Sequence, residues 1–420
     1  MRIGLMGHNS VEFIEQLIRI WNNNDSAVLI DYDMPVDALK RIISNNLIAS
    51  LRVEESLFLK FGSDSLKVDV EPYSVCAPLP CLLPDSIYDE FIERYDEDEA
   101  VVIFSSGTTG LNKGISLSHR ALNNNADSII HYMQPKATDC LYLNKKITHS
   151  SSLTGELLVA LKRKIRTVVA PIVIPPRISF RIISDFGVSI LCCNPALLKM
   201  YVDEAERTNR FPEVIKTIYT SGDVISVKAI ERARSVFTRP VYNVYGQTEC
   251  GPRISAQTEE CCHGNSVGKP IKNVEIKIDT SGEVLVKTNA LFSGYTADAA
   301  EAPEEWHGTG DLGFIDENGE LYITGRTNSL IVIGAHNIYP EAVEQTIIEN
   351  TVISDCLVYK DAEKLACDYV SACEINKTEI IRSIQPLLLP YEIPKTYRRV
   401  KIIPQNANGK KVRDNNDRDR

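Results

Sequence analysis

The stretch AVVIFSSGTTGLNKG, Ala100 to Gly114, decides how the rest of the chain is read. Ala100 to Phe104 form a short apolar run bounded by small polar residues, which reads as a buried strand. The Ser, Gly and Thr residues that follow carry little side chain, so their backbone amides can wrap closely around a polyphosphate, with Lys113 adding positive charge. This is not a Walker sequence, which needs Gly-Lys-Ser/Thr leading into a helix; here Lys113 precedes Gly114 and no Ser or Thr follows directly. After the loop a helix is predicted near His119 to Tyr132. Taken alone, the loop has the composition of any turn, so its assignment rests on its companions.

Working outward, short apolar runs alternate with amphipathic stretches of helical length up to about Ser255, as in α/β folds with mainly parallel sheets. Thr167 to Val173, Val188 to Cys193, Ile215 to Thr220 and Pro240 to Gly246 read as strands. The segments PALLKMYVDEAERT and SVKAIERARSVF read as helices by their three-and-four spacing. From about Gly264 the pattern changes. VEIKIDTSGEVLVKT and FIDENGELYITG alternate apolar and polar residues around Ser281-Gly282 and Asn318-Gly319, which predicts an antiparallel β unit. Beyond Arg326 a smaller mixed segment carries strand-like IVIGA, a helix starting near Pro340 and the apolar run VSAC.

Composition narrows the function classes. A 420-residue chain with 44% apolar residues is long enough for two or three domains with a large core. Its formal net charge of −10 argues against nucleic acid or an anionic membrane as the main partner. Eleven cysteines, an odd number without CxxC spacing, point to reduced thiols in a cytoplasmic protein. No window approaches the roughly 18 apolar residues that span a bilayer. The charged end DNNDRDR, from Asp414, reads as a frayed tail.

Three further clusters can carry chemistry. Tyr245-Gly246-Gln247-Thr248-Glu249 follows a predicted strand, where open α/β sheets present ligands, and a carboxylate beside a triphosphate suggests Mg²⁺, which takes one or two protein carboxylates plus phosphate oxygens and water. In WHGTGDLGFIDENGELYITGR, Asp311 and Arg326 fall at the ends of adjacent β segments, so the carboxylate can accept ribose hydroxyls and the guanidinium can steady sugar or phosphate. NANGKKVR places Lys410 and Lys411 on a loop near the end. Individually these read as a solvated turn glutamate, a surface ion pair and an exposed basic end.

Together, in this order, the segments resemble the adenylate-forming superfamily of acyl- and aryl-CoA synthetases, adenylation domains and luciferases. The family's phosphate loop SSGTTGxPKG is similar to Ser105 to Gly114, with Asn112 in place of Pro. YGxTE matches Tyr245 to Glu249, VGKP matches Val267 to Pro270, TGD matches Thr309 to Asp311, and the hinge arginine matches Arg326. IVIGAHNIYPEAVE resembles the CoA-ligase form of the segment after the hinge, and NANGKKVR the catalytic-lysine segment at Lys410. The usual hinge Asp or Lys corresponds to Asn328. The lead-in before the first strand is expected to be shortened.

The resemblance implies an α/β fold: a large N-terminal domain, 1–325, of α/β subdomains with a β-barrel-like part, a small mobile α+β C-terminal domain, 326–413, and a charged tail, 414–420. It implies an ATP- and Mg²⁺-dependent ligase that joins a small carboxylic acid to AMP, releasing pyrophosphate, and then to a thiol. CoA is the favoured acceptor; the phosphopantetheine of a carrier protein is the alternative, and a nucleotide-binding homologue without turnover the second. Ser105, Ser106, Gly107, Thr108, Thr109, Gly110, Lys113, Ser221, Gly222, Tyr245, Gly246, Asp311 and Arg326 are implied to hold ATP. Thr248 and Glu249, with Glu249 on the metal, and Lys410 are implied to be catalytic. His149, Cys193 and Gly222 are implied to line the acyl pocket. No acidic residue stands where amino-acid-activating relatives hold an α-ammonium, which favours a plain carboxylic acid.

Overall fold

Strands in the computed structural model follow the apolar runs. The structure describes residues 1–58, 66, 68–77, 79–104, 114–171, 174–296, 305–333, 336–362, 364–405 and 411. The first of two large sheets has seven strands. Five of them, Glu99–Phe104, Ser26–Ile30, Arg2–Met6, Ile48–Glu54 and Asp69–Tyr73, lie side by side in parallel, with Leu5 opposite Leu29 and Leu29 opposite Ile103. A parallel sheet is covered on both faces, which is why SAVLI is buried at every position. Helix Val11–Asn22 packs on it through Phe13, Ile14, Leu17 and Trp21, the face that three-and-four spacing creates. Ser10 caps this helix, its hydroxyl accepting the Phe13 amide at 3.0 Å, and the Trp21 indole donates to the Ala100 carbonyl at 2.9 Å.

One expectation is corrected here. Between the phosphate-loop segment and the helix His119–Met133 stands a further strand, Gly114–Ser118, antiparallel to Glu99–Phe104 with Phe104 opposite Gly114. The glycine-rich segment is therefore followed by a strand, and the helix comes after that strand. GISLS is fully buried, with Ser116 donating to Glu99 at 2.6 Å, and its small polar residues disguise a strand as loop.

The second sheet has eight strands, of which Val241–Tyr245, Thr217–Thr220, Ile190–Cys193, Cys140–Leu143 and Arg166–Val169 are parallel neighbours. Each of the four runs read as strands outlasts its strand by one residue or more: Arg166–Val169 stops before Pro171, which has no amide proton to give a ladder, and Ile190–Cys193 begins after Val188, whose amide donates to the Ile183 carbonyl at the end of the preceding helix at 2.9 Å. Helix Pro195–Thr208 starts at Asn194, whose side chain accepts the Leu197 amide at 2.8 Å, and ends at Asn209 with φ +48°. Helix Val227–Phe237 buries Ile230, Ala233 and Phe237 against the same layer.

The predicted hairpins are present in a four-stranded antiparallel sheet, Val274–Ile278, Glu283–Thr288, His307–Ile315 and Leu321–Arg326. Asp279 Oδ1 accepts the Ser281 and Glu283 amides at 2.8 Å, and Gly282 takes φ +86°, which shapes the first turn. After Arg326 come a short hairpin, Ile331–Ile333 with His336–Ile338, then helices Pro340–Asn350 and Lys377–Ile384 against the strands Asp355–Asp361, Lys364–Val370 and Thr396–Arg399. Val343, Ile347, Cys356, Cys367, Ile380 and Ile384 make this part's own core. All eleven cysteines are free thiols. Among the described residues, no helix is long and apolar enough to cross a membrane.

Candidate active site

The parallel strands of the eight-stranded sheet end at Leu143, Cys193, Thr220 and Tyr245, and ligands of open α/β sheets bind at this edge. The chain leaves Tyr245 through Gly246, where a Cβ would lie 1.8 Å from the Pro252 carbonyl oxygen, so only glycine fits. It then turns once through Thr248–Cys250 and closes at Gly251, φ +87°. That turn presents the Thr248 hydroxyl, 2.8 Å from Ser150 Oγ, and the Glu249 carboxylate, which accepts the Tyr295 hydroxyl at 3.1 Å. The Glu249 carbonyl accepts the Phe292 amide at 2.9 Å, so the carboxylate is held from both ends.

Asp311 stands directly opposite Arg326 in the antiparallel sheet. Its Oδ1 pairs with Arg326 Nε at 2.6 Å and its Oδ2 accepts the Tyr245 hydroxyl at 2.6 Å. Each oxygen retains acceptor capacity for a further donor. Burial, with the Asp311 charge adding to it, holds the Tyr245 phenol well above its ordinary range, so Tyr245 stays a donor. The turn before Asp311 is shaped by Gly310, φ +70°, whose amide donates to Glu283 at 2.8 Å. His307 lies near Glu249 and Glu283, and burial lowers its pKa, which favours neutral imidazole. Neither Tyr295 nor His307 stands out in the sequence, because each reaches the site through a tertiary contact.

The other expected residues fall as follows. Ser221 is buried, its amide donating to the Cys193 carbonyl at 3.1 Å, and Gly222 has φ +100° with open space where a Cβ would be. His149 precedes the short helix Ser150–Ser152 and is half-buried. Cys193 packs with Tyr142, Leu198 and Tyr201 in the core, while the alternate residue Cys192 belongs to the core around Tyr219 and Ile129. Strand alternation thus puts Cys192 on the face opposite Cys193. Asn328 is exposed in the turn Thr327–Ser329 that links Arg326 to the next strand. Ser105, Ser106, Gly107, Thr108, Thr109, Gly110, Lys113 and Lys410 lie outside the described residues.

Lys411 has a structural place. Its ammonium lies 2.7 Å from Asp355 Oδ1, 2.7 Å from the Cys356 carbonyl and 3.4 Å from Glu344 Oε2. Of the two adjacent lysines this one is committed to anchoring the C-terminal segment. Lys411→Ala is expected to destabilise that part by about 3 kcal/mol, because it removes the cation that the Asp355 and Glu344 carboxylates share. Denaturant melts followed by hydrogen exchange in Asp355–Asp361 check this; unchanged protection there contradicts it.

Among the described residues no cluster of three or more His, Cys, Asp or Glu side chains could hold a metal ion. Glu249 is therefore a single carboxylate, which fits a magnesium ion bound chiefly through nucleotide phosphates and water.

This edge architecture has relatives. A model of the AMP-binding enzyme family matches residues 1–296, and the chain belongs to that family. It is 24% identical over 330 residues to a methyl-dioxo-octahydroindenyl-propanoyl:CoA ligase of Mycobacterium tuberculosis, covering 75% of this chain and 65% of that one. It is 26% identical over 345 residues to the 2-succinylbenzoate–CoA ligase of Bacillus mycoides, covering 76% and 70% respectively. The o-succinylbenzoate CoA synthetase of Bacillus subtilis, solved with its acyl-adenylate intermediate, superposes with a TM-score of 0.82 at 22% identity, over 99% of this chain and 87% of that one. The chain thus spans about two thirds of the length of the curated relatives it matches.

Proposed function

We propose that this AMP-binding enzyme joins a small carboxylic acid to AMP and then transfers the acyl group to the thiol of CoA. The observation that carries the reading is the Asp311 carboxylate pinned between Tyr245 and Arg326, beside the Thr248–Glu249 turn at the ligand edge. In the first step a substrate carboxylate oxygen attacks the α-phosphorus of ATP and the bond to pyrophosphate breaks. In the second, the thiol sulfur attacks the acyl carbon, the bond to AMP breaks, and the thiol proton leaves to solvent. Asp311 would accept the ribose hydroxyls and Arg326 would fix its orientation. Residues 105–110 with Lys113 would hold the outer phosphates, and Lys410 would stabilise charge between the carboxylate and the α-phosphate. Magnesium, when bound at Glu249, supplies charge neutralisation on the phosphates. Cytoplasmic location, and the division at Arg326 into a large and a small mobile domain, belong to the same reading.

A panel of carboxylic acids assayed for pyrophosphate release, with CoA and a carrier protein supplied separately, tests it. Thioester formed only with carrier protein would move the acceptor to phosphopantetheine on a protein; ATP binding without pyrophosphate release would reduce the chain to a nucleotide-binding homologue.

Glu249→Gln keeps shape and removes charge. The expected result is a higher Mg²⁺ concentration for half-maximal adenylation with an unchanged melting temperature; superimposable Mg²⁺ titrations would take Glu249 off the metal. At the turn after Arg326, Asn328→Pro fixes φ near −65°. Adenylation and thiol transfer in two domain poses would then suffer unequally, with thiol transfer hit harder. Pyrophosphate exchange and single-turnover thioester formation on one preparation read this, and proportional loss argues against a hinge there.

A further inference from the structure

Helix Pro340–Asn350, in the part of the chain after Arg326, ends without the chemistry that usually finishes a helix. Its last turn holds no basic residue to meet the partial negative charge of the outgoing carbonyls, and it places Glu349 there, a charge of the wrong sign. Thr351 leaves the helix in extended conformation, φ −132° and ψ −179°, so the left-handed turn that normally returns an amide to the last carbonyls is absent. Two carbonyls are met from within: Asn350 Nδ2 donates to Thr346 at 2.9 Å and Thr351 Oγ1 to Ile347 at 2.7 Å. The Ile348 and Thr351 carbonyls are met from the large part of the chain. Lys228 Nζ, on helix Val227–Phe237, donates to both, at 3.0 and 2.9 Å.

Lys228 is as misplaced on its own helix as Glu349 is on the other. Ser226 caps helix Val227–Phe237, its hydroxyl accepting the Ala229 amide at 3.2 Å, so Lys228 puts a cation in the first turn, where the helix already presents partial positive charge. The two helix ends, meeting start to finish, cancel both faults. This contact stands close to the site, since Lys228 follows Ser221 and Gly222 of the ligand edge by a few residues. On the other side, the gripped helix carries Glu344, one of the carboxylates that hold Lys411, and Lys411 is bonded to Lys410 in the chain. The same helix meets the large part again near its start, where Glu341 Oε2 lies 3.2 Å from the place a Cβ at Gly325 would take. Glu341 and Ile348 are separated by about 10 Å along the helix axis. A body held at two such points cannot turn about Arg326 without breaking one of them.

We propose that Lys228 is a positioning residue for the first half-reaction: by capping helix Pro340–Asn350 from the large part, it holds the Glu344–Lys411 anchor, and the segment that carries Lys410, toward the ligand edge. Its release lets the small part turn for thiol transfer. The inference rests on the adenylation reading and on the two poses that reading gives the chain. The contact is at the surface, so its effect is a few-fold bias between poses and not an on-off switch.

The test compares the wild type with Lys228→Met, which keeps the stem and removes the cation, and with Lys228→Arg, which keeps the cation. Hydrogen exchange of the amides in the last turn of helix Pro340–Asn350, without nucleotide, is expected to run about five-fold faster in Lys228→Met, the size of one exposed charge at a helix end, and at the wild-type rate in Lys228→Arg. Single-turnover pyrophosphate release and thioester formation from a supplied acyl-adenylate, taken as a ratio, are expected to shift about five-fold against adenylation in Lys228→Met and to return in Lys228→Arg. A cap with no positional role would speed exchange and leave the ratio alone, and that result overturns the proposal. Unchanged exchange overturns it by removing the contact, and a shift against thiol transfer overturns it by assigning the grip to the opposite pose. A wild type that releases no pyrophosphate with any acid defeats the adenylation reading and the positioning role with it, while exchange still reports whether Lys228 holds the helix.

Discussion

Lys410→Ala is expected to slow acyl-adenylate formation by about 10²-fold or more, since a cation that meets charge developing at the reacting phosphorus acts mainly in the transition state. ATP affinity should change little. Thioester formation from a supplied acyl-adenylate should largely survive, because the second half-reaction displaces AMP from an already activated acyl group. The neighbouring lysine sharpens the experiment. Lys411 is held by Asp355, Glu344 and the Cys356 carbonyl, so Lys411→Ala should act on stability while Lys410→Ala acts on chemistry. Rapid-quench measurement of both half-reactions decides; equal loss in the two would remove Lys410 from the adenylation step.

Asp311→Ala is expected to raise the KM for ATP by about 10²-fold. Two hydrogen bonds from ribose hydroxyls to a carboxylate, each worth roughly 1.5 kcal/mol, give that order of magnitude. The same change leaves Tyr245 without its acceptor and Arg326 without its partner, which the paired oxygens at 2.6 Å make explicit. Tyr245→Phe, which removes one donor to Asp311 and spares both acceptor oxygens, should raise the KM only a few-fold. Initial-rate kinetics with ATP varied, alongside melting curves, check the pair. An unchanged KM in folded Asp311→Ala would move the ribose elsewhere.

Much of this architecture is legible in the chain because burial on two faces leaves continuous apolar runs: the runs Ala100 to Phe104 and Ile215 to Thr220 mark the strands Glu99–Phe104 and Thr217–Thr220 to within one or two residues at their starts. Turn chemistry is equally local, so Asp279 to Gly282 marks its hairpin. Gly114–Ser118 escapes detection because a buried strand whose two apolar residues, Ile115 and Leu117, alternate with Gly and Ser offers too little apolar contrast. Two positions are decided by partners far along the chain. Asp311 gains its meaning from Tyr245, 66 residues away, and Lys228 from the Ile348 carbonyl, 120 residues away. Spacing rules see neither, since such partners are properties of the fold.

The central claim is that a substrate carboxylate oxygen becomes bonded to the α-phosphorus of ATP. Its most direct test is to run the reaction with the carboxylate labelled in both oxygens with ¹⁸O, in the presence of ATP, Mg²⁺ and CoA, and to weigh the nucleotide product by mass spectrometry. The account predicts AMP carrying one ¹⁸O and unlabelled pyrophosphate. Unlabelled AMP, or ADP with the label in inorganic phosphate, would contradict it.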